Sequence, residues 1–134
     1  MRHVVVVEDD PVNARLFRMV LERRGHLKVT VTEDPAELLR LARAGEVHAV
    51  VLDVSLHDSH WQGRPVNGID LCRLLKQDAA TARVPVLLAT AHAMRGDEQR
   101  FLEQSGADDY VSKPVMDHLV FIEQVRRWVG AEAA

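Results

Sequence analysis

Apolar residues along this chain fall into two alternating rhythms. Short unbroken runs such as Val4-Val5-Val6-Val7 and Ala49-Val50-Val51-Leu52 recur between longer stretches in which apolar side chains return every three or four positions. Short apolar runs bounded by turn signals read as strands buried on both faces, and the 3.6-residue period reads as amphipathic helix. The first strand is predicted over residues 3–7. Asp10-Pro11 then supplies a helix N-cap and a proline at the first helical position, and a helix with Val12, Leu16, Met19 and Val20 on one face ends near Gly25. A second strand, 27–31, precedes Asp34-Pro35, the same start signal, with Glu37 placed for a capping box and a helix running to about Gly45. The third strand spans 47–52. A long polar loop, 54–67, separates it from a third helix that opens at Gly68 and carries Ile69, Cys72, Leu74 and Leu75. Strand 84–89, helix 94–105, strand 109–112 and helix 115–129 complete the series. Five strand–helix units in succession imply an α/β fold, a doubly wound five-stranded parallel sheet with helices on both faces.

The chemistry sits where the strands stop. Glu8-Asp9-Asp10 closes the first apolar run and Asp53 closes the third. In an open α/β sheet the ligand crevice lies beyond the carboxyl ends of the strands, where strand order reverses. If the first and third strands are neighbours, three or four carboxylates share that crevice and repel one another unless a cation or raised pKa values relieve them. Oxygen ligands and open positions suit Mg²⁺. Asp10 alone reads better as an N-cap than as a ligand. Thr90 follows the fourth strand and Lys113 the fifth, adding a hydroxyl and an ammonium at the same edge. Carboxylates, hydroxyl and ammonium in that order can hold a cation and a phosphoryl group together.

Length and composition change this picture only at its margins. At 134 residues, 47% hydrophobic and 28% charged, the chain is expected to form one domain, 1–130, with a short tail at 131–134 and no output domain. A formal charge of −3 argues against a bulk electrostatic grip on nucleic acid or on an anionic membrane. No apolar stretch approaches the roughly 20 residues that span a bilayer, and Met1-Arg2-His3 lacks a signal-peptide shape. The single cysteine, Cys72, excludes an internal disulfide and reads as a core residue. A cytoplasmic location is the expectation.

Four segments carry a resemblance: Val-Val-Glu-Asp-Asp-Pro-Val-Asn at 6–13, Val-Val-Leu-Asp at 50–53, Ala-Thr-Ala-His-Ala-Met at 89–94 and Ser-Lys-Pro at 112–114. With them the chain, from His3 to about Gly130, resembles the receiver domain of two-component response regulators, the CheY-like superfamily. Residues 94–98 and 106–110 are similar to stand-alone DivK-type receivers of cell-cycle circuits. The resemblance implies a flavodoxin-like sheet of order 2-1-3-4-5 and phosphorelay signalling, in which Asp53 accepts a phosphoryl group from a sensor histidine kinase or a histidine phosphotransfer protein. It implies Mg²⁺ held by Asp9 and Asp53, by Glu8 through water and by the backbone carbonyl of Ser55. Thr90 and Lys113 would bind phosphate oxygens, Thr90 and Tyr110 would form a switch, and Ala91 and His92 would modulate hydrolysis. Output would be phosphorylation-dependent binding of a target protein through the fourth helix, fifth strand and fifth helix, by a monomer or a phosphorylation-dependent dimer, without nucleic acid or membrane. Such a domain catalyses only its own phosphotransfer and dephosphorylation.

One segment departs from the receiver pattern. His57 stands where receivers usually have proline, and Ser59-His60-Trp61-Gln62-Gly63-Arg64-Pro65 is additional before Val66-Asn67-Gly68. His57, Asp58 and His60 have spacing that could hold a transition metal, though no fourth ligand is evident and a solvated loop is the simpler reading. Trp61 either folds back over Pro65 or awaits a partner. Three alternatives compete with the receiver reading. A haloacid-dehalogenase-like Mg-dependent aspartyl-phosphate phosphatase needs a second acid where Ser55 stands; a flavodoxin-like cofactor binder would not place Glu8-Asp9-Asp10 in its first loop. The third is a receiver fragment of a longer regulator or hybrid kinase.

Overall fold

The computed structural model describes residues 2–56, 59–90, 97–113, 115 and 117–130. In chain order the elements are β1 (His3–Val7), α1 (Pro11–Met19), β2 (Lys28–Thr32), α2 (Pro35–Arg43), β3 (Ala49–Asp53), β4 (His60–Trp61), β5 (Arg64–Pro65), α3 (Gly68–Gln77), β6 (Val86–Thr90), α4 (Asp97–Ser105), β7 (Asp109–Ser112) and α5 (His118–Val129). The main sheet is parallel throughout, in the order β2-β1-β3-β6-β7. That is the expected 2-1-3-4-5 order once the two short strands β4 and β5 are set aside as a hairpin of their own.

The unbroken apolar runs are explained by what lies on the two faces. Val4 and Val6 of β1 point into one core with Phe17 of α1 and Phe121, Ile122 and Val125 of α5. Val5 and Val7 point into the other, with Leu38 and Leu39 of α2 and Leu71, Cys72 and Leu75 of α3. Every residue of β1, β3 and β6 is buried. Fully burying a valine or leucine side chain contributes about 1.5–3 kcal/mol, so the three central strands anchor both layers. Phe17 and Phe121, their ring centroids 5.4 Å apart, lock α1 to α5.

Helix starts follow the sequence signals closely. The Asp10 carboxylate accepts from Val12 N at 2.9 Å and the Asp34 carboxylate from Ala36 N at 3.0 Å, each with proline next in line. Glu37 does not close the predicted capping box. The Thr32 hydroxyl stands between, accepting from Asp34 N at 3.0 Å and donating to Glu37 at 3.1 Å. A reciprocal capping box forms instead at α3, between Asn67 and Asp70. The first helix does reach Gly25, but its last turn, Val20–Arg24, is a π-helix. The fifth helix starts at His118 behind an Asp117 cap rather than at 115.

The loop 54–67 is where expectation and structure differ most. It contains the hairpin β4–β5, whose connection Gln62-Gly63 has positive φ at both residues, 52° and 78°. A two-residue type I′ turn requires that pair of conformations, and glycine meets the second without strain. The hairpin closes at its base where Val66 N donates to Ser59 O at 2.9 Å. Trp61 lies half-buried against the core beneath α2 and α3, so it folds back onto this domain. His57 and Asp58 lie outside the described residues, and His60 is exposed.

Candidate functional site

Parallel pairing of β1 with β3 and of β3 with β6 brings three strand tips side by side, with Val7 opposite Leu52 and Asp53 opposite Ala89. The first residues beyond or at those tips are Glu8, Asp9, Asp53 and Thr90. Glu8 and Asp53 are each only 3% exposed and Thr90 1%, while Asp9 is partly open. Carboxylate oxygens of Glu8, Asp9 and Asp53 all lie within 4.8 Å of one another, the only such acidic or metal-ligating cluster among the described residues. Asp10 is not part of it, because its carboxylate is spent on Val12 N and Asn13.

Lys113 reaches this cluster from the end of β7. Its backbone N–H donates to Thr90 O at 2.9 Å, which continues the sheet pairing one step past the strand. Its Nζ donates to Glu8 at 3.1 Å and pairs with Asp53 Oδ1 at 3.1 Å. The Ser55 N–H donates to that same Asp53 oxygen at 3.1 Å, and Asp10 N–H donates to Glu8 at 3.3 Å. Burial, then the charge of Asp53, push the Glu8 carboxyl up to about 7 against the opposing pull of Lys113. Burial alone would lower the Lys113 ammonium, but its bonds to Glu8 and Asp53 outweigh that and raise it. Three carboxylates of hard oxygen, one of them this reluctant to ionise, make a donor set suited to a divalent cation.

A glycine missing from the charge-based reading fixes the loop that follows Asp53. A Cβ at Gly68 would run into the Asp53 carbonyl and come 2.8 Å from the Val54 Cα, while Gly68 N donates to Val54 O at 3.0 Å. The start of α3 is thus pressed onto the backbone of Asp53 itself. The Asn67-Gly68 pair hints at this; the close approach is a tertiary fact.

Comparison with known proteins decides the family. The response regulator receiver domain model matches residues 4–124. The chain belongs to the response regulator receiver family. The receiver is similar to the polar-differentiation response regulator DivK of Brucella ovis, 33% identical over 129 residues, or 96% of this chain and 97% of that protein. Among solved structures it is similar to the receiver domain of a sensor histidine kinase from Pseudomonas aeruginosa, which has a magnesium ion coordinated in its active-site cleft, with a TM-score of 0.78 and 27% identity over 97% of this chain and 98% of that one. A putative response regulator from Chloroflexus aurantiacus gives a TM-score of 0.79 at 25% identity, covering 96% and 97% of the two chains.

The remaining predicted positions are more dispersed. Tyr110 is half-buried on β7; its hydroxyl accepts from Ser112 at 3.3 Å and its carbonyl accepts from Gln124 of α5 at 2.7 Å. Ser55 is exposed beside Asp53. Ala91 and His92 lie outside the described residues. Cys72 is fully buried, and burial pushes its thiol up to about 11, which leaves it unreactive near neutral pH. No helix among the described residues is long and apolar enough to cross a membrane.

Proposed function

We propose that this receiver takes a phosphoryl group onto an Asp53 carboxylate oxygen from the phosphohistidine of a sensor kinase or phosphotransfer protein, and later loses it to water. The observation that carries this reading is the convergence on Asp53 of one ammonium, from Lys113, and two further carboxylates, Glu8 and Asp9. Asp9 and Asp53 would hold Mg²⁺, with Glu8 acting through water and Ser55 through its carbonyl; the cation's chemistry there is to neutralise charge on the transferred group. Lys113 would turn from the Asp53 oxygen to a phosphate oxygen, and Thr90 would donate its hydroxyl to another. Val12, 76% exposed on the first turn of α1 beside the crevice, supports docking of a histidine-bearing partner there.

Output is assigned to the α4–β7–α5 face, inside the cytoplasm, with Thr90 and Tyr110 as the moving parts. Leu119 and Val120, both 58% exposed at the start of α5, support an apolar contact on that face. Incubation with acetyl phosphate and Mg²⁺ should add one phosphoryl group by mass spectrometry, and Asp53→Asn should abolish it. Full modification of that variant would reassign the acceptor. In the same preparation, a beryllofluoride adduct should shift amide resonances across β7 and α5, and Tyr110→Ala should suppress those shifts while leaving phosphorylation intact. Unchanged shifts in Tyr110→Ala would remove the switch role.

A further inference from the structure

Between the β4–β5 hairpin and α3 lies a groove of about 640 Å³. Trp61, Pro65, Val66 and Leu74 supply its apolar lining, and all but Pro65 also rest on the core beneath. The hairpin is the segment by which this chain departs from the receiver pattern, so the groove is the chain's own. Its volume falls within the usual range of ligand clefts. Tryptophan and arginine, the side chains that most often carry binding energy at interfaces, both line it.

Two of the charges around the groove are already committed. Asp70 closes the capping box of α3 with Asn67, and Arg73 Nε donates to the Gln104 carbonyl in the last turn of α4. Each thus meets a helix end of opposite sign. Two strong donors remain. The Arg64 guanidinium, exposed, has no hydrogen bond or ion pair with any described residue, and the indole N–H of half-buried Trp61 has no acceptor among them. Trp128, by contrast, gives its indole N–H to the Asp109 carboxylate at 2.7 Å. An indole taken out of water ordinarily finds such a partner. Trp61 and Arg64 are direct cross-strand neighbours, so their side chains leave the same face of the hairpin.

We propose that this groove docks an acidic segment of a partner protein, one carboxylate meeting Arg64 and Trp61 while an apolar side chain lies on Val66 and Leu74. Charge complementarity selects that occupant. A guanidinium and an indole N–H only donate, and a carboxylate accepts from both. A phosphate would bring a second negative charge toward Asp70 in the same groove. A second copy of this chain, in a twofold contact, would bring the two Arg64 side chains together. Strand addition at β5 is blocked, because Pro65 has no N–H to give. The test is selection of random linear peptides on phage against the immobilised whole chain, followed by NMR titration of the enriched peptides. They should combine Asp or Glu with Leu, Ile, Phe or Trp. They should shift residues 61–66 and 70–77 and the Trp61 indole N–H, and leave the Trp128 indole in place. Arg64→Glu should weaken binding about tenfold or more, and added salt should weaken the parent far more than this variant. Trp61→Phe, which keeps a ring on the core but removes the N–H, should weaken binding several-fold. Both variants should keep the parent's β-sheet resonances. The proposal fails if no peptide is enriched, if the enriched peptides lack acidic residues, or if their shifts lie outside the groove. It fails equally if Arg64→Glu binds as the parent does. Shifts of residues 61–66 with protein concentration alone would give the groove to a second copy and overturn the assignment.

Discussion

Glu8 and Lys113 show how single side chains set the state of this receiver. With a folded pKa of about 7 against an ordinary 4.5, Glu8 holds its proton more tightly in the folded than in the unfolded chain. The associated stability is fully present below about pH 4.5 and is lost as pH rises through 7, a fall of about 3 kcal/mol for a shift of this size. In metal-free buffer, urea unfolding from pH 4.5 to 8 should therefore show a steeper loss for the parent than for Glu8→Gln, and the variant should be the more stable of the two at pH 8. Saturating Mg²⁺ should flatten the parent's slope, because a cation among Glu8, Asp9 and Asp53 stabilises the ionised form. Equal slopes for parent and variant without metal would mean that Glu8 is not the group that resists ionisation. Lys113 supplies part of what the cation would supply, through its 3.1 Å contacts to Glu8 and Asp53, and so keeps two buried carboxylates tolerable when metal is scarce.

Among the elements, α3 bears most directly on Asp53, since its first residue is packed on that residue's own backbone. Gly68→Ala must move α3 or the β3 tip, an overpacking that costs about 1–3 kcal/mol, and should slow phosphorylation by acetyl phosphate even though no charge changes. Wild-type stability and rate in that variant would show that the contact yields freely. The elements also show what the sequence could announce. Strands β1, β3 and β6 are buried on both faces, so their hydrophobic runs are unbroken and their carboxyl tips could be located from Glu8, Asp53 and Thr90 alone. Short-range signals did equally well where nothing competes for the group, as at Asp10 and Asp34. They failed at Glu37, because Thr32 from the preceding strand takes the bond first. They failed again at β4 and β5, since strands of two residues carry no periodicity and Gln62-Gly63 is a weaker turn signal than Asn-Gly. The pairing of Lys113 with both Glu8 and Asp53 joins residues up to 105 positions apart, and only the assembled sheet brings them within reach.

For the molecule as a whole, the additional hairpin is closed by its own bonds, apart from those that fix the chain beside Asp53. Its stem closes between Ser59 and Val66, and the chain is fixed again at Val54–Gly68, so the extra residues leave and return without displacing Asp53. The hairpin leans toward α2 and α3: Ser59 donates to Glu33 O at 3.2 Å, and Trp61 covers the core beneath those helices. Its weight therefore falls on stability and on the shape of the α2–α3 side. Residues 59 and 66 are cross-strand neighbours, separated by little more than one peptide's span, so excising 60–65 should permit direct closure. The excised protein should accept phosphate from acetyl phosphate and lose it at rates within a few-fold of the parent. Its unfolding free energy should fall by about 1–3 kcal/mol, because half-buried Trp61 no longer covers its neighbours. Intrinsic fluorescence should then report Trp128 alone, whose indole donates to Asp109 at 2.7 Å on the far side of the sheet. A dephosphorylation rate raised by an order of magnitude, with stability unchanged, would reverse this assignment and make the hairpin a cover over the phosphoryl group.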